Sequence, residues 1–226
     1  MTGIICALGY EAELLISKLE NKSTECVSGI TFTSGTLHSK NVVIAVCGVG
    51  KVFAAICAQT MILRYSPSLI INTGVAGAVH SSLVCGDITV ASSVVQHDMD
   101  TSPLGDPKGL ISGINIINFK CAPQKDVIAQ IAEQNGCKSL IGVIASGDQF
   151  VASAEKKDFI ENNFSAVACD MEAGAIGHAC YINSTPFCVI RAISDSADGS
   201  AHLDYPTFSK MAANNAANII DQFLAN

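Results

Sequence analysis

Acids stand where several of the chain's apolar runs stop. Glu11 follows the run Gly3 to Leu8, Asp170 and Glu172 flank Met171, and Asp195 closes Arg191-Ala192-Ile193-Ser194. An acid directly after a buried apolar run is costly unless it is paired or functional, so Asp195 is a candidate functional residue. Glu11 has two readings from position alone. It falls in the first turn of a predicted helix, where the dipole stabilises an anion, and it is equally placed to act as a base in a cleft. Asp170-Met171-Glu172 opens a further helix and allows the same dipole reading. Its methionine, however, sets apolar surface beside charge, an arrangement suited to a sugar, with Glu172 accepting two hydroxyl hydrogens and Met171 packing on the ring. Gly48-Val49-Gly50-Lys51 resembles part of a phosphate loop, but a Walker loop needs a glycine where Ala45 stands and a Ser or Thr where Val52 stands. Either a plain turn or a close backbone approach to a ligand explains these glycines, and Asn72-Thr73-Gly74-Val75-Ala76-Gly77 has the same character.

The elements that must position these residues are legible as alternating patterns. Apolar, β-branched runs at 3–8, 41–47, 68–73, 88–95, 140–146 and 187–194 predict strands covered on both faces. Helical periodicity follows at 11–20, 51–65, 124–136, 170–182 and 208–226. The alternation predicts an α/β fold, and without a repeat, linker or low-complexity tract we expect one domain over residues 1–226. Ligands collect at the carboxyl ends of such strands, so Glu11, the 72–77 segment, Asp148 and Arg191 to Asp195 are expected around one pocket. The Gly-, Pro-, Asp- and Ser-rich stretch from His97 to Asn118 is long for a compact domain, which points to a functional or interface loop.

Composition narrows the partners. The net charge is −7 and the only arginines are Arg64 and Arg191, so clustered positive charge for nucleic acid is absent. No apolar run spans a bilayer, and the opening residues lack the basic flank and cleavage site of a signal peptide, so a soluble cytoplasmic protein is expected. Ten cysteines are scattered without a CxxC pair, and most sit in apolar runs as reduced core residues would. The expected ligand is a small molecule. The low charge and many small residues also leave room for an apolar patch that a second copy of the chain would cover.

Taken together, Gly3 to Leu8 with Glu11, Gly48 to Lys51, Asn72 to Gly77, His97-Asp98-Met99-Asp100, Ser146-Gly147-Asp148-Gln149-Phe150, Asp170-Met171-Glu172-Ala173 and Arg191 to Asp195 follow one another in register over nearly the whole chain. This set resembles the 5′-methylthioadenosine/S-adenosylhomocysteine nucleosidases of the purine nucleoside phosphorylase and uridine phosphorylase superfamily. The resemblance implies a three-layer α/β/α domain around a mixed, partly closed sheet, usually in a homodimer. It implies hydrolysis of an adenine nucleoside to adenine and a 5′-substituted ribose, with no cofactor and no metal.

By the same resemblance Asp195 protonates N7 of adenine and Glu11 activates water on the opposite sugar face. Glu172 and Met171 hold the ribose, Arg191 helps hold the water, and Ser194 positions Asp195. Phe150 stacks on the base and the Val151 backbone bonds its edge. Leu8, Val49 and Tyr205 line the 5′ end, with Thr101, Leu104 and Ser112 supplied by the neighbouring subunit; Val75 and Gly77 complete the wall. Val75 stands where many members have serine, and Val49, Leu104 and Ser112 are smaller or less aromatic than their usual counterparts, which leaves the ranking of 5′ tails open. Two rivals remain at this stage. A phosphorylase would need arginines near its first glycine turn and before the third-strand glycines, and this chain has none there; a nucleoside-binding protein without catalysis would not need both Glu11 and Asp195.

Overall fold

The computed structural model describes residues 1–226, apart from the side chain of Leu203. Its strands are β1 (Thr2–Cys6), β2 (Glu20–Val27), β3 (Ile30–Leu37), β4 (Lys40–Val46), β5 (Leu69–Ala78), β6 (Ile88–Gln96), β7 (Phe119–Lys120), β8 (Ser139–Ser146), β9 (Ala166–Asp170) and β10 (Phe187–Asp195). The helices are α1 (Gly9–Lys18), α2 (Lys51–Tyr65), α3 (Gln124–Gln134), α4 (Ala154–Phe164), α5 (Ala173–Ile182) and α6 (Ala201–Ala225). All the strands join one mixed sheet in the order β10-β6-β8-β9-β5-β1-β4-β3-β2, with β7 paired to β6. A further β10–β5 pairing closes β10, β6, β8, β9 and β5 into a five-stranded barrel. The α/β architecture with a partly closed sheet is the one expected from the sequence.

The six apolar runs became β1, β4, β5, β6, β8 and β10, because each buries side chains on both faces. Apolar groups on one side pack under α2 and α5, those on the other under α1, α3 and α6. Two boundaries differ from expectation. The strand expected to end at residue 73 continues as β5 to Ala78 and takes in the 72–77 segment, and α6 begins at Ala201, with Pro206 inside its early turns where it was expected to precede the helix. Among the described residues no helix is long and apolar enough to cross a membrane.

Residues 97–118 hold only a 3-10 turn at Ser102–Leu104 and an isolated bridge between Ile111 and Ile116. All ten cysteines are free, and six of them are buried.

Candidate active site

The carboxyl ends of β1, β5, β9 and β10 surround one cavity of about 380 Å³, within the range of small-ligand sites. Glu11 stands in the first turn of α1 because its side chain turns back to the start of that helix. Oε2 accepts the Ala7 and Leu8 N–H groups, each at 2.9 Å, and Oε1 accepts the Val75 N–H at 3.2 Å. The dipole reading and the base reading therefore describe the same carboxylate: it caps α1 and faces the cavity. A side chain on β5 would exclude it, since a Cβ at Gly74 would lie 2.6 Å from Oε1. Burial raises the Glu11 pKa, opposed by the Leu8 amide and by the charge of Arg191.

Asp195 is built the same way at the end of β10. Oδ2 accepts the Ser194 hydroxyl at 2.8 Å and Oδ1 accepts the Ala197 N–H at 2.9 Å. A Cβ at Gly77 would sit 2.8 Å from Oδ1, so the second glycine of β5 admits the second acid. Burial holds Asp195 above the ordinary carboxylate range, opposed by the Ala197 amide and the Ser194 hydroxyl, so its protonated form persists to higher pH.

Helix α5 separates the duties of its two acids. Asp170 Oδ2 accepts the Ala173 N–H, and the Ser146 hydroxyl, itself bound to Asp170, accepts the Gly174 N–H at 2.6 Å. With the helix start satisfied by these two, Glu172 reaches across the cleft, where Oε1 accepts the Gly50 N–H at 2.9 Å. Burial and then the neighbouring Asp170 charge push Glu172 up to about 7.

Arg191 departs from expectation. It does not line the cavity; it lies beneath the floor, 2% exposed, ion-paired to Asp170 and bonded to Asn72 Oδ1 at 2.6 Å. A guanidinium in a strand buried on both faces needs such partners, and Asp170 is the charge that supplies one. Asp170, Asn72 and Ser146 support the site; sequence reasoning named them within motifs but gave them no such role. The signal was an arginine within the apolar run FCVIRAIS, which implies a buried acid nearby.

Leu8, Val49, Val75, Gly77, Phe150, Val151, Met171, Glu172, Ser194 and Tyr205 all line the cavity with Glu11 and Asp195. Phe150 is half exposed and meets Tyr205 edge-on at 5.6 Å, and the Tyr205 hydroxyl pairs with that of Tyr10 at 3.0 Å. Thr101, Leu104 and Ser112 stand outside this chain's own cavity, with Leu104 84% exposed. Among the described residues no three His, Cys, Asp or Glu side chains converge as a metal site. Among the described residues the cavity wall contains four carboxylates, Glu11, Asp170, Glu172 and Asp195, and no Lys, Arg or His.

A part-closed mixed sheet that gathers buried carboxylates around a small cleft defines an α/β domain suited to acid–base cleavage of a small molecule. Residues 2–225 match the phosphorylase superfamily. The 5′-methylthioadenosine/S-adenosylhomocysteine nucleosidase of Staphylococcus aureus (strain bovine RF122 / ET3-1) is 35% identical over 100% of this chain and 99% of its own length. The crystal structure of the Neisseria meningitidis enzyme of that name, in complex with methylthio-immucillin-A, superimposes with a TM-score of 0.95 at 32% identity, covering 99% of this chain and 98% of that one. Futalosine hydrolase of Helicobacter pylori strain 26695 gives 0.93 at 31% identity, covering 99% of this chain and 96% of that one. The chain belongs to the 5′-methylthioadenosine/S-adenosylhomocysteine nucleosidase family of the phosphorylase superfamily.

Proposed function

We propose that this protein hydrolyses the N-glycosidic bond of 5′-methylthioadenosine and S-adenosylhomocysteine, and of 5′-deoxyadenosine, giving adenine and the 5′-substituted ribose. The observation that carries water as nucleophile is the cavity wall of four carboxylates without a cation. A phosphate dianion beside Glu11 and Glu172 would be repelled, and Arg191 is already committed to Asp170.

Adenine is a poor anionic leaving group and water a poor nucleophile, so the sugar carbon passes through a cation-like state. Asp195, whose protonated form burial favours, gives its proton to N7 of adenine, and the base leaves neutral. Glu11 accepts a proton from the attacking water on the other sugar face. Its three N–H donors fix that carboxylate in place and, with the charge of Arg191, oppose the upward shift that burial causes. Glu172 accepts the ribose hydroxyls, Met171 packs on the ring, and Phe150 and Val151 hold the base. Arg191 acts from below: through Asp170 it fixes the start of α5, and its charge favours ionised Glu11 and Glu172.

Residues 1–226 act as one unit, and two copies form a homodimer. Val52, Phe53 and Ile56 on α2 and Tyr181 and Ile182 on α5, helices packed side by side, leave apolar surface exposed in the single chain. Thr101, Leu104 and Ser112 then close the partner's 5′ pocket. The free, mostly buried cysteines suit a reducing cytoplasm.

The test is adenine release from 5′-methylthioadenosine, S-adenosylhomocysteine, 5′-deoxyadenosine and aminodeoxyfutalosine, with sedimentation at the assay concentration. We expect release from the first three by a dimer. Release from none of the four refutes the activity, and a fully active monomer refutes the shared pocket.

A further inference from the structure

We propose that Lys51, Asp98 and Asp148 form a clasp that positions the walls of the cleft around the nucleoside, acting through Glu172 and the Phe150–Val151 segment and not as substrate ligands. The three residues lie at three connections: Lys51 opens α2 after the turn from β4, Asp98 is in the loop after β6 and Asp148 in the loop after β8. Lys51 N–H donates to Asp148 Oδ1 at 2.8 Å, Asp148 N–H donates to Asp98 Oδ2 at 2.9 Å, and Lys51 Nζ donates to Asp98 Oδ1 at 2.6 Å. The ring closes on itself. Lys51 Nζ is further held by Gln96 Oε1 at 3.1 Å, so its charge is committed away from the cleft.

Each connection carries part of the site. The residue before Lys51 is Gly50, whose N–H donates to Glu172, and Val49 before it lines the cavity. The residues after Asp148 are Gln149, Phe150 and Val151, all in the cavity wall. Beyond Asp98 runs the loop bearing Thr101 and Leu104. The strands behind these connections are fixed by sheet hydrogen bonds, whereas the turns themselves are exposed or half-buried and need another constraint. Charge-assisted bonds at a Lys51–Asp98 pair whose side chains are 19% and 17% exposed supply it. Because Asp148 is exposed and the ring lies outside the core clusters, its loss relaxes the cleft more than it unfolds the chain.

The proposal rests on the nucleosidase reading for its substrate, so the experiment includes binding as well as turnover. Lys51→Met, Asp98→Asn and Lys51→Arg would be compared in the full-length chain with 5′-methylthioadenosine for kinetics. A carbon-linked adenosine analogue, whose glycosidic bond resists hydrolysis, would report affinity by calorimetry. A loosened wall should raise KM and the analogue Kd about tenfold in the Met and Asn variants, with kcat within about threefold of wild type. Lys51→Arg, which keeps charge and reach, should restore most of the affinity, and a variant combining Lys51→Met with Asp98→Asn should be no worse than the worse single one. Unchanged KM and Kd with a lowered melting temperature would overturn the proposal and leave the ring a plain stabilising contact. If Asp98→Asn fails to fold, the Lys51 variants decide alone. A wild type that binds the analogue but releases no adenine would refute the nucleosidase reading, while the Kd series still decides the clasp.

Discussion

Asp195→Asn should reduce adenine release by about 10² to 10⁴ while leaving nucleoside binding nearly intact. The amide retains the shape of the acid: its oxygen can still accept the Ala197 N–H, and the Ser194 hydroxyl can turn to accept from the new NH₂ group. What is lost is the proton that adenine needs to leave neutral. The stability of this variant carries an independent sign. Burial raises the folded-state pKa of Asp195, so this carboxyl favours folding while protonated and loses that contribution as pH rises through its folded value. Asparagine carries no charge at any pH. The variant should therefore melt at or above wild type at neutral pH, and the difference should shrink on acidification. Activity within tenfold of wild type would remove Asp195 from the donor role.

Glu11→Gln should lower the rate by at least about 10², because the variant has no base for the attacking water. Its melting temperature is expected to move only a few degrees, for a reason visible in the hydrogen bonds. The glutamine oxygen can replace Oε2 and keep both the Ala7 and Leu8 N–H bonds, so α1 stays capped. The NH₂ then faces the Val75 N–H, and leaving that donor unsatisfied costs about 1–3 kcal/mol. Relief from burying a charged group, which is what raises the Glu11 pKa, works in the opposite direction. Thermal melting and steady-state kinetics on the one variant separate the roles: early melting with normal turnover would make Glu11 a cap and nothing more.

The sequence made β1, β4, β5, β6, β8 and β10 legible, because burial on both faces gives each a continuous apolar run. It hid elements that bury little. In β2, ENKSTECV presents polar residues on an exposed edge, and in α4, AEKKDFIENNF buries only Ile160 and Phe164. Strand β9 is short and rich in small residues, AVACD, so nothing in its composition distinguishes it from a loop. At the site, the acids were found because a carboxyl after an apolar run is costly. The glycines of 72–77 were noticed and read as either a plain turn or a close backbone approach to a ligand; their reason is that two carboxylates from other elements lie against β5, a contact between residues 63 and 118 positions apart that no local pattern encodes. Arg191 was expected in the pocket from the family resemblance, and its partner Asp170 was read only as part of a helix start. Lys51, considered and dismissed as a phosphate ligand, is held by Asp98, whose sequence position gives no hint of the contact.

The account's central claim is that water, and not phosphate, attacks the sugar in a cleft walled by carboxylates. The direct measurement is turnover of 5′-methylthioadenosine in phosphate-free buffer and again with added inorganic phosphate, following adenine by absorbance and the sugar by ³¹P NMR. We predict the same rate in both, free methylthioribose as the only sugar product and no phosphorus resonance from a sugar phosphate. A rate that climbs steeply with phosphate, together with a methylthioribose 1-phosphate signal, would contradict hydrolysis and the base role of Glu11 with it.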